Sequence, residues 1–179
     1  MEAYKELHML FKNGLKDLLS KSDGEAFFPH YERMVAIRFG FNPLKVAGVQ
    51  DGSVWMPYCH HVAHAYAKAF DVEVVNGEKV FITQTRTLWF GHFIRARVSR
   101  YAHSWNRLVL PSGKRVILDL FPDETCSMFP IVVLDPHPAY TKHRDGLADK
   151  AVVELLSQPY QQERLDMLIS EMVRLDKKT

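Results

Sequence analysis

Three residues have the types and the order that catalysis by a thiol nucleophile requires. Cys59 lies near the start of an alanine-rich segment that predicts a helix, His103 begins a segment typical of a strand, and Asp119 lies in the next such segment. A thiolate is the reactive form of cysteine, and a helix N-terminus or a nearby imidazolium favours it. Histidine can then act as general base and acid, while a carboxylate on its other ring nitrogen orients it. The sequence therefore predicts a Cys-His-Asp triad.

The turn Pro111-Ser112-Gly113 provides a geometric test of this triad. If these residues form a three-residue hairpin loop, Leu110 lies opposite Lys114 and Trp105 lies opposite Asp119. His103 is then the diagonal neighbour of Asp119 on the same face of the sheet, within reach of its side chain. An even-length loop without a bulge would place the two residues on opposite faces. The triad therefore predicts an odd loop or a bulge.

The surrounding elements follow from hydrophobic periodicity and turn residues. Helices are predicted over 4–19, 29–39, 56–70, 147–157 and 160–175, with Ser22-Asp23-Gly24 ending the first and Pro29 starting the second. Asn76-Gly77 predicts a hairpin between strands 72–75 and 79–83. Further strands are predicted over 86–100, 103–110 and 115–121, and a loop over 122–146. Consecutive strands without alternating helices favour an α+β fold with an antiparallel sheet.

The order of these pieces resembles the transglutaminase-like branch of the papain-like fold. The matching pieces are Cys59 in MPYCHHVAHAYAKAF, the run His103-Ser104-Trp105-Asn106, and Ile117-Leu118-Asp119, all within residues 55–121. The Gly-x-Cys-Trp surround of eukaryotic transglutaminases is absent. The small size and the added helices are most similar to bacterial effectors and toxins that deamidate glutamine in host proteins. The resemblance implies a central antiparallel sheet packed on the nucleophile helix, with extra N- and C-terminal helices.

The resemblance also implies an activity and further site residues. Cys59 would attack an amide carbonyl of a partner protein, and glutamine deamidation, proteolysis and transamidation are the possible outcomes. Gln50 is a candidate oxyanion donor beside the Cys59 N–H, and Trp105 and Asn106 would shield or orient His103. The resemblance implies no cofactor. A binding module that keeps the fold without turnover is the alternative outside enzymes.

Length and composition fit a single globular domain. The chain has 179 residues, 47% of them hydrophobic and 25% charged, which excludes collagen, coiled coil and wholesale disorder. We expect one domain over 1–179, with a helical part (1–54), a core with the catalytic helix and sheet (55–121), and a loop with C-terminal helices (122–179). No apolar run reaches 18 residues, and the N-terminus lacks the apolar core of a signal peptide. We therefore expect no membrane contact and either a cytoplasmic location or secretion by a route without a classical signal.

Positive charge is concentrated in the middle of the chain. Residues 79–118 contain eight basic residues and no acidic one. Either acids from the two ends of the chain pair with these residues, or they face an anionic partner. Arginines interleaved with aromatic residues are also the ingredients of a single-strand nucleic-acid platform, but no RRM, KH or helix-turn-helix signature is present. We expect no nucleic acid, and a rim for an acidic protein substrate that includes Arg95, Arg97 and Arg100.

A histidine cluster beside the cysteine permits a metal site instead. On a helix, His60 and His64 are four residues apart and His61 and His64 are three apart, so either pair could chelate a transition metal. However, the HExxH motif and paired Cys-x-x-Cys spacing are both absent. No metal is expected, and the three histidines are held in reserve as ligands. The second cysteine, Cys126, is flanked by acidic residues and is interpreted as structural.

Overall fold

A computed structural model of the chain describes residues 13–40, 58–86, 94–120, 130–142 and 147–177. Residues 13–18 are helical, and four longer helices follow among the described residues. These helices are α1 (Lys21–Gly40), α2 (Tyr58–Phe70), α3 (Leu147–Leu156) and α4 (Pro159–Asp176). The strands are β1 (Glu73–Arg86), β2 (Ile94–Val109), β3 (Arg115–Asp119), β4 (Ile131–Asp135) and β5 (Tyr140–Lys142). None of these helices combines the length and the apolar character that crossing a membrane requires.

The five strands form one curled, antiparallel sheet in the order β4-β3-β2-β1-β5. The long β1 and β2 strands make up its centre and pair from Glu73 opposite Arg107 to Arg86 opposite Ile94. The chain therefore has the mixed α+β architecture with an antiparallel sheet that the succession of strands predicts.

Helix α1 begins earlier than predicted. The Ser20 hydroxyl accepts a hydrogen bond from the Asp23 N–H (3.2 Å), which is the arrangement of an N-cap. The first helix ends at residue 18, close to its predicted end at 19, but Ser22-Asp23-Gly24 lies inside α1 and Pro29 does not begin the next helix, so these two parts of the prediction are wrong. The helix continues through the exposed Pro29 because a buried stripe spans it, and this packing outweighs the loss of one backbone hydrogen bond. The stripe consists of Phe27, Tyr31, Met34 and Ile37.

The predicted hairpin at Asn76-Gly77 is also wrong, because both residues lie inside strand β1. Gly77 is needed there for close approach rather than for a turn. A Cβ atom at this position would lie 2.2 Å from the carbonyl oxygen of Thr141 and 2.8 Å from the Trp105 ring. The Asn76 side chain is buried and hydrogen-bonded instead of solvated. Tertiary packing thus overrides a strong local turn signal.

The second predicted hairpin is confirmed. The turn Pro111-Ser112-Gly113 is closed by a hydrogen bond from the Leu110 N–H to the Lys114 carbonyl (2.8 Å), and Gly113 has a φ of 82°. Val109 lies opposite Arg115 and Asn106 lies opposite Leu118, which is the predicted register. Residues 94–100 of the predicted strand 86–100 continue into the predicted strand 103–110 as the single strand β2, and β3 follows the turn. Arg86 ends β1, and residues 87–93 lie outside the described part of the chain.

Alternation along the strands gives the sheet two different faces. One face, here called the helix face, packs on the helices. It carries the polar side chains of Asn76, Ser104 and Asn106 and an apolar region. That core includes Val116 and Leu118 of β3, Met34 of α1, Tyr66 of α2, and Leu165, Leu168 and Met172 of α4. The opposite face, here called the site face, carries Lys79, His103, Trp105, Asp119 and Tyr140. A smaller core of Val75, Trp105, Ile117 and Tyr140 lies there.

The C-terminal part departs from prediction in its loop but not in its helices. Strands β4 and β5 lie inside the segment 122–146, which was predicted as loop. Helices α3 and α4 are separated just before Pro159, as predicted. Arg33 of α1 and Asp176 of α4 form an ion pair (2.8 Å) that links the helices of the two halves.

Candidate active site

Cys59 is the second residue of α2, in the first turn of the helix. Its side chain is half-buried, and its thiol is not part of a disulfide. The first backbone N–H groups of a helix have no partner within the helix, and the positive end of the helix dipole lies with them. This position suits a side chain that becomes negatively charged, and it leaves the Cys59 N–H able to donate to a developing oxyanion.

His103 and Asp119 are brought together on the site face by the β2–β3 register. His103 Nε2 lies 2.9 Å from Asp119 Oδ2, and both side chains are almost completely buried. The pairing of β2 with β3 ends at Asn106 and Leu118, so His103 lies beyond that ladder and is paired with Gly77 on β1.

The charge of His103 is set by its two neighbours. Burial lowers the pKa of His103, but the Asp119 carboxylate and a hydrogen bond with the Cys59 thiol outweigh it and raise the pKa to about 9. The ring is therefore an imidazolium at neutral pH. The pKa of Asp119 is lowered, since the attraction of His103 and Lys79 exceeds the effect of burial, and the carboxylate stays ionised. The chain thus brings Cys59, His103 and Asp119 into one connected group.

Two further residues bind Asp119 and were missed by sequence analysis. Lys79 Nζ lies 2.8 Å from Asp119 Oδ2, and the Tyr140 hydroxyl donates to the same oxygen at 2.7 Å. Lys79 could have been found by treating β1 as one strand, because alternation from Val75 through Gly77 places it on the site face. Tyr140 has no such signal, because β5 was predicted as loop.

Trp105 covers the histidine ring. The two rings stack with centroids 6.3 Å apart at 21°, and Tyr140 packs edge-on against Trp105 at 5.2 Å. Trp105 is 3% exposed, and its Nε1 finds no acceptor in the part of the chain that the structure describes. The Trp105 ring therefore lies beside the His103 ring, and its role in shielding or orienting His103 stays a prediction.

Asn106 lies on the helix face, away from His103. Its Nδ2 donates to the carbonyl oxygens of Ala63 in α2 (2.8 Å) and Glu73 in β1 (3.5 Å). These bonds anchor α2 to the sheet. The sequence analysis assigned Asn106 the role of orienting His103. Among the described residues, no direct contact between the two side chains supports this role.

The reserve metal ligands do not converge. His61 Nε2 lies 2.8 Å from Gln161 Oε1 of α4, and His64 Nε2 lies 3.2 Å from Asn76 Oδ1 of β1. His60 Nδ1 contacts the Ser104 hydroxyl. Across the described ranges, no group of three histidine, cysteine or acidic side chains is arranged to hold a metal ion.

His60, Ser104, Asn76 and His64 form a directional chain of hydrogen bonds beside Cys59. The Ser104 hydroxyl donates its hydrogen to Asn76 Oδ1. Its oxygen must therefore accept the hydrogen bond that His60 Nδ1–H donates. Asn76 Oδ1 also accepts from His64 Nε2. The pKa of His60 is lowered to about 4 by burial and by the nearby His103, so this ring is neutral.

Among the described residues, three basic side chains of the segment 79–118 form ion pairs with acids from outside it. Arg107 contacts Asp135 (2.9 Å) and Glu73 (3.3 Å), and Lys79 contacts Asp119. Arg115 also lies 3.8 Å from Asp135. Of the predicted rim, Arg100 is exposed. The side chains of Arg95 and Arg97 lie outside the described part of the chain, as do Gln50 and Cys126. The acids therefore occupy three of the basic groups that a nucleic acid or an acidic substrate would otherwise contact.

Comparison with known proteins gave no match: no family model, curated protein or solved structure is significantly similar to this chain.

Proposed function

We propose that the protein is a thiol-dependent amide hydrolase in which Cys59 is the nucleophile, His103 the general base and acid, and Asp119 the residue that orients His103. One observation carries this proposal: the buried His103 ring binds Asp119 through Nε2 and interacts with the Cys59 thiol. The α+β architecture and the helix-start position of Cys59 are consistent with a papain- or transglutaminase-like fold, which forms part of the proposal.

The proposed reaction uses the charge of this group. In the resting site the thiol proton already resides on His103, and the imidazolium stabilises the Cys59 thiolate beside it. The thiolate attacks an amide carbonyl carbon, and the Cys59 N–H donates to the oxyanion. His103 returns its proton to the departing ammonia or amine as the C–N bond breaks. Water, deprotonated by His103, then hydrolyses the thioester to a carboxylate and regenerates the thiol.

We propose a glutamine side chain of a partner protein as the substrate, as in the bacterial effectors and toxins that the sequence resembles. A cysteine protease and a transglutaminase share the same three residues and differ in the acceptor and the binding groove. Arg100 is the described candidate for the rim of an acidic substrate, and Gln50 remains a candidate oxyanion donor outside the described residues.

Site-resolved iodoacetamide labelling tests the proposed nucleophile. The rate at Cys59 is measured by mass spectrometry between pH 5 and 9, in the native chain and in the urea-unfolded chain. We expect the native rate at pH 6 to exceed the unfolded rate by at least about tenfold, and His103→Gln to remove this difference. Native labelling no faster than unfolded labelling would contradict an activated thiolate.

A second measurement addresses turnover. Ammonia release from glutamine-containing protein mixtures should depend on Cys59 and vanish in Cys59→Ala, while the free energy of unfolding changes little because the side chain is only half-buried. Activated labelling without ammonia release or peptide cleavage would favour the protein-binding alternative.

A further inference from the structure

Asp119 is held by more than one partner on the site face. His103 Nε2, Lys79 Nζ and the Tyr140 hydroxyl all contact its Oδ2 atom, at 2.9, 2.8 and 2.7 Å. They come from β2, β1 and β5, and each side chain is less than a tenth exposed. A charge-assisted hydrogen bond in such a dry environment is stronger than in water. The carboxylate is therefore fixed by three donors rather than by the histidine alone.

We propose that Lys79 and Tyr140 are positioning residues that act on His103 through Asp119, by fixing Oδ2 and by limiting how strongly the carboxylate attracts the imidazolium proton. This inference rests on the proposed function, because it describes how the catalytic histidine of that site is adjusted. Neither residue contacts the Cys59 thiol in any described interaction.

Electrostatics determines the direction of the effect. A cation on Asp119 offsets part of its negative charge, so the imidazolium gains less from the carboxylate than it would from an unshared one. The Lys79 ammonium also stacks over the Tyr140 ring at 5.1 Å, which keeps the two donors in place together. Five titratable groups lie around His103, and they come from the strands β1, β3 and β5 and from helix α2. They are Asp119, Lys79, Tyr140, Cys59 and His60.

This adjustment matters for the proposed reaction because His103 must both accept and release a proton. A histidine that binds its proton too tightly is a poor acid toward the departing amine and a poor base toward water. Without Lys79, the His103 imidazolium would be the only cation in contact with the negative charge of Asp119. His103 would then keep its proton to higher pH. Lys79 and Tyr140 thus keep the proton transferable.

NMR titration of the His103 ring in the full chain tests the inference, with His103→Gln used to assign the signal. We expect Lys79→Met to tighten proton binding by His103 about tenfold and Tyr140→Phe to tighten it about threefold, the smaller effect of one neutral hydrogen bond. Lys79→Arg keeps the charge and should restore the wild-type titration. Unchanged or weaker proton binding in the folded variants would overturn the proposal.

Tyr140→Phe keeps the inference falsifiable if Lys79→Met does not fold, because it removes one hydroxyl and keeps the ring contacts. The titration requires no turnover and is therefore independent of the proposed function. Tighter proton binding in a chain without activated Cys59 would support the electrostatic role and contradict the enzyme. Activated Cys59 labelling together with an unchanged His103 titration in Tyr140→Phe and Lys79→Met would support the enzyme and contradict the electrostatic role of these two residues.

Discussion

Gly77 lies directly opposite His103 in the β1–β2 ladder. The glycine leaves the space that the neighbouring β5 strand and the Trp105 ring occupy, with the carbonyl oxygen of Thr141 only 2.2 Å from where a Cβ would be. The absence of a side chain here allows β5 to pair closely with β1 and brings Tyr140 toward Asp119. The lack of a side chain at residue 77 therefore permits the close packing of β5 and of the Trp105 ring next to His103.

Replacing Gly77 by alanine should be strongly destabilising, because the added methyl meets backbone atoms that cannot move without disrupting β5. We expect Gly77→Ala to lower the free energy of unfolding by about 1–3 kcal/mol, as measured by urea denaturation. Gly14→Ala is the matched control, since no atom lies within 4 Å of a Cβ built there and the residue is helical. The control should be neutral or slightly stabilising. Equal stability of the two variants would contradict the close approach.

The features that were predictable from the sequence depend on local rules. A three-residue turn at Pro111-Ser112-Gly113 determines the β2–β3 register, and the register alone places His103 diagonal to Asp119. Helix α2 follows from its alanine-rich composition, which is why Cys59 could be placed in its first turn.

The features that were not predictable depend on contacts between distant segments. The Asn76-Gly77 pair has strong turn propensity, yet the β2, α2 and β5 elements around it stabilise an extended strand. Pro29 similarly lies within α1 because the buried stripe on either side of it packs on the core. Tyr140 contacts Asp119 only because the sheet curls, and curl is a property of the whole sheet rather than of any short segment.

Asn106 provides a test that separates anchoring from orientation. Because its amide bonds the Ala63 carbonyl across the helix face, Asn106→Ala should cost about 1–3 kcal/mol of stability in urea denaturation. The exposed Asn13→Ala is the control and should change stability by less than about 0.5 kcal/mol. Iodoacetamide labelling of Cys59 in the folded variant should match the wild type. A loss of labelling as large as that in His103→Gln would instead assign Asn106 the orienting role.

Stability should fall at alkaline pH because of His103. The folded-state pKa of about 9 lies above the ordinary value of 6.5, so His103 stabilises the fold fully below pH 6.5. That contribution is lost as the pH rises through about 9, and it is on the order of 2–4 kcal/mol. Urea denaturation at intervals from pH 6 to 10 should show a smaller loss in His103→Gln, whose Asp119 keeps Lys79 and Tyr140 as partners. Parallel curves for the two chains would contradict the raised pKa.

Stability should also fall on the acid side, in a window that belongs to His60. Burial and the nearby His103 lower its pKa from 6.5 to about 4, so the unfolded chain binds a proton in this range that the folded chain does not. The fold therefore loses stability as the pH falls from 6.5 through 4.

Asp119 does not contribute in this window, because its lowered pKa places its own loss below pH 3.8. The part-buried His30, whose pKa burial also lowers, adds a loss of the same sign. His60→Asn should keep a donor toward Ser104 without titrating, so its stability between pH 6.5 and 4.5 should decline less than that of the wild type in urea denaturation. An equally steep decline in both chains would mean that His60 is already protonated in the folded state near pH 6 and would contradict its lowered pKa.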